Sequence, residues 1–287
     1  MNFLQFTLFM CGQLGVMLLT RFFFQWLIDF CSQSITISSG ASISLFSATI
    51  VGAALLGFRV FDGVTDPIAG GLADNWVKRG RERRVLLWYT APIPAIGMAL
   101  CFVPSIEHSE MVRWGILLSG LFVFFVGYTL YAIPYWSLIG DYAQGDEQRR
   151  GKLSTLLGVG LLIATAIGFI ITPMMINTYG YMSSALMISV FSIPLMIAPY
   201  YASPKIESAR SAESSLERDE PQGMSEPMDE GFVDEPQGQL AQLLVALKHR
   251  RFLAVICLFA GSQMSFTVMT AAAPFIASDL LGGSKSD

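Results

Sequence analysis

Residues 43–84 read ISLFSATIVGAALLGFRVFDGVTDPIAGGLADNWVKRGRERR, and this stretch decides the fold. From Ile43 to Ala73 it is apolar and longer than the ~20 residues that cross a bilayer. It carries Arg59, Asp62 and Asp66 in its interior and ends against Lys78, Arg79, Arg81, Arg83 and Arg84. An apolar run stopped by a basic cluster is the pattern of a membrane helix whose following loop stays on the cytoplasmic side.

Working outward, the same pattern recurs along the chain. Seven apolar spans are predicted, at 3–30, 43–73, 85–104, 112–139, 153–176, 182–201 and 252–280. Composition agrees: of 287 residues 53% are hydrophobic and 14% charged, with a mean hydropathy of +0.54. Soluble domains carry roughly 25% charged residues, so a water-soluble enzyme is excluded. The fold class is an all-α polytopic membrane protein. Pro67, Pro92, Pro94, Pro134, Pro173, Pro194 and Pro274 fall inside spans and predict kinks that neighbouring helices can accommodate. No basic residue precedes Arg21, so the first span is expected to insert and stay.

The stretch 203–239 differs in kind, with ten acidic residues among Ser, Pro, Gly and Gln. Such a segment buries too little surface to offset its ordering entropy. The organisation that follows is a six-helix bundle over 1–202, a flexible acidic linker over 203–247, and over 248–287 the first helix of an incomplete second bundle. Fourteen of the 18 basic residues lie in alternate loops. The opposite loops hold only Arg113 and Lys285. That asymmetry predicts a cytoplasmic N-terminus and linker in a multi-pass protein of the cell (inner or plasma) membrane.

Cys11, Cys31, Cys101 and Cys257 sit in or beside apolar stretches without metal-site spacing. No nucleophile, phosphate-binding loop or nucleic-acid patch stands out. The chain is expected to be no enzyme, to hold no cofactor beyond a coupling ion, and to have lipid and a small solute as partners, with no nucleic acid.

Ionisable groups at membrane depth are costly and point to function. In Arg59-Val-Phe-Asp62-Gly-Val-Thr65-Asp66-Pro67, offsets of three and four put Arg59, Asp62 and Asp66 on one helical face. Two carboxylates one turn apart repel one another. Arg59 can neutralise one of them, leaving a net negative charge that a bound Na⁺ or a proton would cancel. The competing reading is a salt-bridge cluster that only locks helices together. Gly57, Gly63, Gly70 and Gly71 nearby permit close helix approach. In the first span, Asp29 is expected at the outer interface, while Arg21 needs a partner or a water-filled cavity.

Two motifs carry a family resemblance. Gly70-Gly-Leu-Ala-Asp74 followed by Gly80-Arg81-Glu82-Arg83-Arg84 resembles the loop motif of the major facilitator superfamily, with a glycine at the end of helix two, an aspartate four residues on, and a Gly-Arg run. The resemblance implies a cytoplasmic latch in which these arginines meet acids on moving helices. Asp62-Gly-Val-Thr-Asp66-Pro67 and Tyr128-Thr129-Leu-Tyr-Ala132-Ile-Pro134-Tyr135-Trp136-Ser137-Leu138 together resemble the glycoside-pentoside-hexuronide:cation symporters, the melibiose-carrier-like proteins. The loop Asp141 to Lys152 and the basic lead-in Lys248-His-Arg-Arg251 fit the same pattern. A transporter of two six-helix halves is implied, of which seven of an expected twelve helices are here.

That resemblance implies a cation site at Asp62 and Asp66, with oxygen donors from Thr65 and Thr129. No other metal is implied. It also places Trp136, Tyr128 and Arg59 near the solute, where an aromatic ring can lie against a pyranose. The chain departs from the family at the sugar-binding carboxylates: Ala132 stands at the helix-four position, no acid occurs before Asp29, and Gly158 stands near an expected arginine. The expectation is a Na⁺- or H⁺-coupled symporter of a small organic solute, sugar-like in kind, working by alternating access. The alternatives are a symporter of a lysolipid or organic acid, or a truncated half-transporter serving as a scaffold. The missing partner half would lie downstream of Asp287.

Overall fold

The computed structural model describes residues 1–36, 42–202 and 250–276. Helix α1 spans Phe3–Ser32, α2 Ala48–Lys78, α3 Leu86–Thr90, α4 Pro92–Cys101, α5 Glu110–Ala143, α6 Glu147–Ile197 and α7 Arg250–Phe275. Among the described residues five helical stretches are long and apolar enough to cross a membrane, and the fifth contains two of the expected spans. The break that divides it is Gly180, at φ 76° and ψ 173° inside α6. That conformation is essentially open to glycine alone, so the chain reverses there and the spans at 153–176 and 182–201 separate as expected.

Other boundaries shift. Span two begins at Ala48 rather than residue 43, because Ser42–Ser44 pairs antiparallel with Ser34–Thr36 in a short hairpin, Ile35 opposite Ile43. The alternation Ser-Ile-Thr and Ser-Ile-Ser has the period of a strand and not of a helix. The same helix runs on to Lys78, so Gly70 lies within α2 and not at its end. Span three is interrupted: Pro92 opens α4 directly after α3. The linker at 203–247 and residues 277–280 of span seven lie outside the described residues.

Helix α1 forms the axis. It packs along both segments of α6 and also meets α2, α4, α5 and α7. Its apolar residues are buried nearly all round, among them Val16, Leu19, Phe22, Phe23 and Leu27, as expected of a helix surrounded by others. Among the described residues Gly57 and Gly63 face nothing within 4 Å and Gly70 makes only an ordinary contact with Ile133, so these three do not form the expected close approach there. Tight crossing occurs instead between α4 and α5, where a Cβ on Gly97 would fall 2.2 Å from the Phe124 backbone nitrogen and one on Gly127 2.6 Å from that of Pro94.

Tyrosines spaced along α5 tie the bundle together. Tyr131 donates to the Met196 carbonyl (2.8 Å), Tyr135 to that of Phe9 (2.7 Å) and Tyr142 to that of Pro199 (3.0 Å). The first acceptor lies in the last turn of α6, where carbonyls lack intrahelical donors, and the third in the 3-10 turn Ala198–Ala202 that follows it.

Candidate functional site

The charged stripe of α2 faces α1 and α5. Asp62 is buried, with 7% of its surface exposed. Its carboxylate accepts the hydroxyl of Thr129 on α5 and the guanidinium of Arg59, one turn earlier, at 3.4 Å. Arg59 itself lies over the Phe24 ring at 4.3 Å and near the Phe125 ring at 5.7 Å. Two aromatic faces therefore seat the cation while its fork reaches Asp62.

Asp66, one turn further, is half-buried and makes no ion pair among the described residues. The Thr129 hydroxyl stands beside it as well. Thr65 donates to the Asp62 backbone carbonyl at 3.0 Å, which turns its hydroxyl back along the helix and leaves only its lone pairs for a cation. Asp62, Asp66 and Thr129 thus come together across α2 and α5, with Thr65 alongside. Carboxylate and hydroxyl oxygens are the donors that suit a hard cation. Among the described residues no group of three or more His, Cys, Asp or Glu side chains could hold a transition metal.

On α5, Tyr128 directly precedes Thr129 and Trp136 follows it by two turns; they are the aromatic pair expected near the solute. Tyr128 and Trp136 meet edge to face at 6.4 Å, and the Trp136 indole N–H donates to Gln13 of α1 at 3.1 Å. Both rings are half-buried. Ala132 is buried in the core.

In α1 sequence reasoning singled out Arg21 and Asp29 but missed Gln13 and Gln25. Gln13, Arg21, Gln25 and Asp29 recur at multiples of four, so neighbours in the set lie close together while the row winds gradually around α1. Gln13 orients Trp136. Arg21 lies near Arg59 and Tyr128 and packs its stem against Gly168 of α6. The Gln25 side chain is buried, and its Oε1 has no hydrogen-bond partner among the described residues. Asp29, near the outer end of α1, is 2% exposed and accepts a hydrogen bond from Tyr181 just past the Gly180 break, so its carboxylate is buried among neighbouring helices. The available signal was the presence of two glutamines, Gln13 and Gln25, within a strongly apolar helix.

The arginine loop is assembled as a bridge. Arg83 donates to Asp74 at 2.9 Å and to Asp141, at the end of α5, at 3.0 Å. Arg84 pairs with Glu82 and lies over the Tyr200 ring at 5.2 Å. Arg81 lies over Trp76 at 4.5 Å, and Gly80 takes a positive φ of 75° in the turn. Of the latch residues, Asp74, Arg83 and Arg84 make the contacts that join helices; Gly70 makes none of them.

Between α5 and α6, Asp146 caps the first turn of α6. Its carboxylate accepts the backbone N–H groups of Arg149 (3.1 Å) and Gln148 (2.9 Å). Those donors hold its carboxyl below the ordinary aspartate range.

The profile of a family described as MFS/sugar transport protein matches residues 8–287. Comparison with curated proteins gives no match.

Proposed function

The chain belongs to the MFS/sugar transport protein family of the major facilitator superfamily, and from that premise we propose that it is a cation-coupled symporter of a small organic solute. Membership makes it a multi-pass membrane transporter and not an enzyme. The coupling, the solute and the orientation are our reading. One observation carries the coupling: Asp62 is paired with Arg59 and Thr129, while Asp66 one turn away forms no ion pair among the described residues, so the single Arg59 charge faces two carboxylates. A Na⁺ or a proton at the pair would cancel the remaining negative charge.

In this reading the cation sits between Asp62 and Asp66 with Thr129 and Thr65 as oxygen donors. The solute lies where α1, α2 and α5 converge, against Trp136 and Tyr128 and near Arg59. Loading neutralises the carboxylates and so removes the cost of moving a naked charge as the site alternates its access. Basic loops face the cytoplasm, and Asp74, Arg83, Arg84 and Asp141 close that side. The membrane is the cell membrane.

The test is uptake into membrane vesicles driven by imposed Na⁺ or H⁺ gradients. Asp66→Asn and Asp62→Asn are expected to abolish ion-stimulated uptake with expression retained. Ion-stimulated uptake that survives in both variants removes the assignment.

A second reading, an organic acid or lysolipid as solute, draws on Arg21 beside Arg59 and Tyr128. Two guanidinium groups on one side of the site suit an anionic solute better than a neutral sugar. Competition of uptake by sugars against carboxylates and lysophospholipids separates the two.

A further inference from the structure

We propose that an anionic glycerophospholipid binds in the crevice between α2, α3 and α5, its phosphate held by Arg79 at the mouth. The crevice encloses about 250 Å³. Ala69, Leu72 and Ala73 of α2, Leu86 of α3, and Leu130 and Pro134 of α5 form its apolar part. Arg79, Asn75, Trp76 and Thr90 supply its polar groups. Such a space holds the end of an acyl chain and not a whole lipid, so the remainder lies along the exposed side of Leu72.

Charge selects the occupant. The 74–84 segment carries five basic residues, and its acids are engaged by Arg83 and Arg84. Lys78, Arg79 and Arg81 form no ion pair among the described residues; Arg81 lies instead on the Trp76 ring. Arg79 is the one of these three that lines the crevice. A slot lined by apolar side chains together with an indole and a cation matches the shape and charge of a lipid head and chain. Trp76 also donates its indole N–H to the Glu82 carbonyl at 3.2 Å, so the lipid rests against the loop that carries the Arg83 bridge. This site is separate from the carboxylate pair: its lining starts at Ala69, past Asp66, and holds no acid.

The experiment is native mass spectrometry of the full chain released from micelles with equal amounts of dioleoyl phosphatidylglycerol and dioleoyl phosphatidylcholine. Wild type is expected to retain the glycerol lipid about fivefold over the choline lipid, as one basic residue near a lipid surface provides. Arg79→Gln is expected to bring that ratio close to one. Lys78→Gln, the same charge change outside the crevice, keeps it. Ala73→Phe fills the slot and lowers retention of both lipids. Equal retention by wild type, or equal losses in Arg79→Gln and Lys78→Gln, overturns the proposal. Displacement of the lipid by glycerol 3-phosphate alone would show a free-anion site and overturns it too. If Arg79→Gln does not yield folded protein, Ala73→Phe decides: undiminished retention of phosphatidylglycerol sinks the idea.

Discussion

At the residue scale, Thr129 matters because one hydroxyl serves two carboxylates. It donates to Asp62 and stands beside Asp66. Removing it leaves a buried carboxylate short of a donor, a change worth about 1–3 kcal/mol. Thr129→Val is therefore expected to weaken the apparent affinity for the coupling ion by on the order of tenfold or more, and Thr129→Ser to restore it. Ion-titrated uptake checks both, and an unchanged ion dependence in Thr129→Val removes its role. Gln13 acts differently, through the Trp136 indole alone. Gln13→Leu should raise the KM for solute while leaving ion affinity intact, since it loosens an aromatic wall and touches no carboxylate. Asp62, Asp66 and Thr129 were legible from the resemblance. The Phe24 and Phe125 rings under Arg59 were not, because apolar residues in an apolar helix carry no mark of which neighbour they will meet.

At the element scale, two glycines set the geometry by different means. Gly97 lets α4 approach the α5 backbone closely, and Gly180 supplies the turn within α6. Gly97→Ala forces helices apart and is expected to cost about 1–3 kcal/mol, as overpacking does. Gly180→Ala is expected to cost a similar ~1–3 kcal/mol through backbone strain. Thermal unfolding of the purified protein reads both, and a melting temperature equal to wild type in either variant refutes the corresponding argument. Single hydrogen bonds matter less, since interhelical bonds in membranes average about 0.6 kcal/mol. Tyr131→Phe should accordingly move the midpoint little.

The cap at Asp146 offers a pH signature. Its carboxyl is held low by the Arg149 and Gln148 amides, so the folded protein binds that proton less readily than the unfolded chain. The stabilisation is therefore complete above the unfolded value of about 3.9 and disappears as pH falls through the lower folded value. The midpoint difference between wild type and Asp146→Ala should be present at neutral pH and shrink towards pH 3. A difference that stays constant with pH would assign the effect to something other than the carboxylate.

At the scale of the whole molecule, the Arg83 bridge is a matter of balance and not of strength. Asp74 and Asp141 are 52% and 42% exposed at their side chains, and exposed ion pairs contribute about 0–1 kcal/mol. Such a contact does little for overall stability, yet the same energy shifts a finely balanced two-state equilibrium several-fold. Arg83→Gln is therefore expected to leave the melting temperature nearly unchanged and to lower the uptake rate. Equal uptake rates would show that the bridge does not bear on transport.

The long apolar runs and the scarcity of charge determined by themselves that this chain is a helical membrane protein, while the ends of its spans moved by several residues in the structure. Those features follow from the bilayer, which imposes length and polarity on each segment independently of its neighbours. Tertiary structure decided the rest: that Arg83 reaches Asp74 and Asp141 at once, that Gln13 holds Trp136, that Asp29 lies buried against Tyr181, and that the tight glycine seam runs between α4 and α5 and not along α2. Each of these depends on which helix faces lie opposite one another, and inside a membrane every face is apolar enough to face any other.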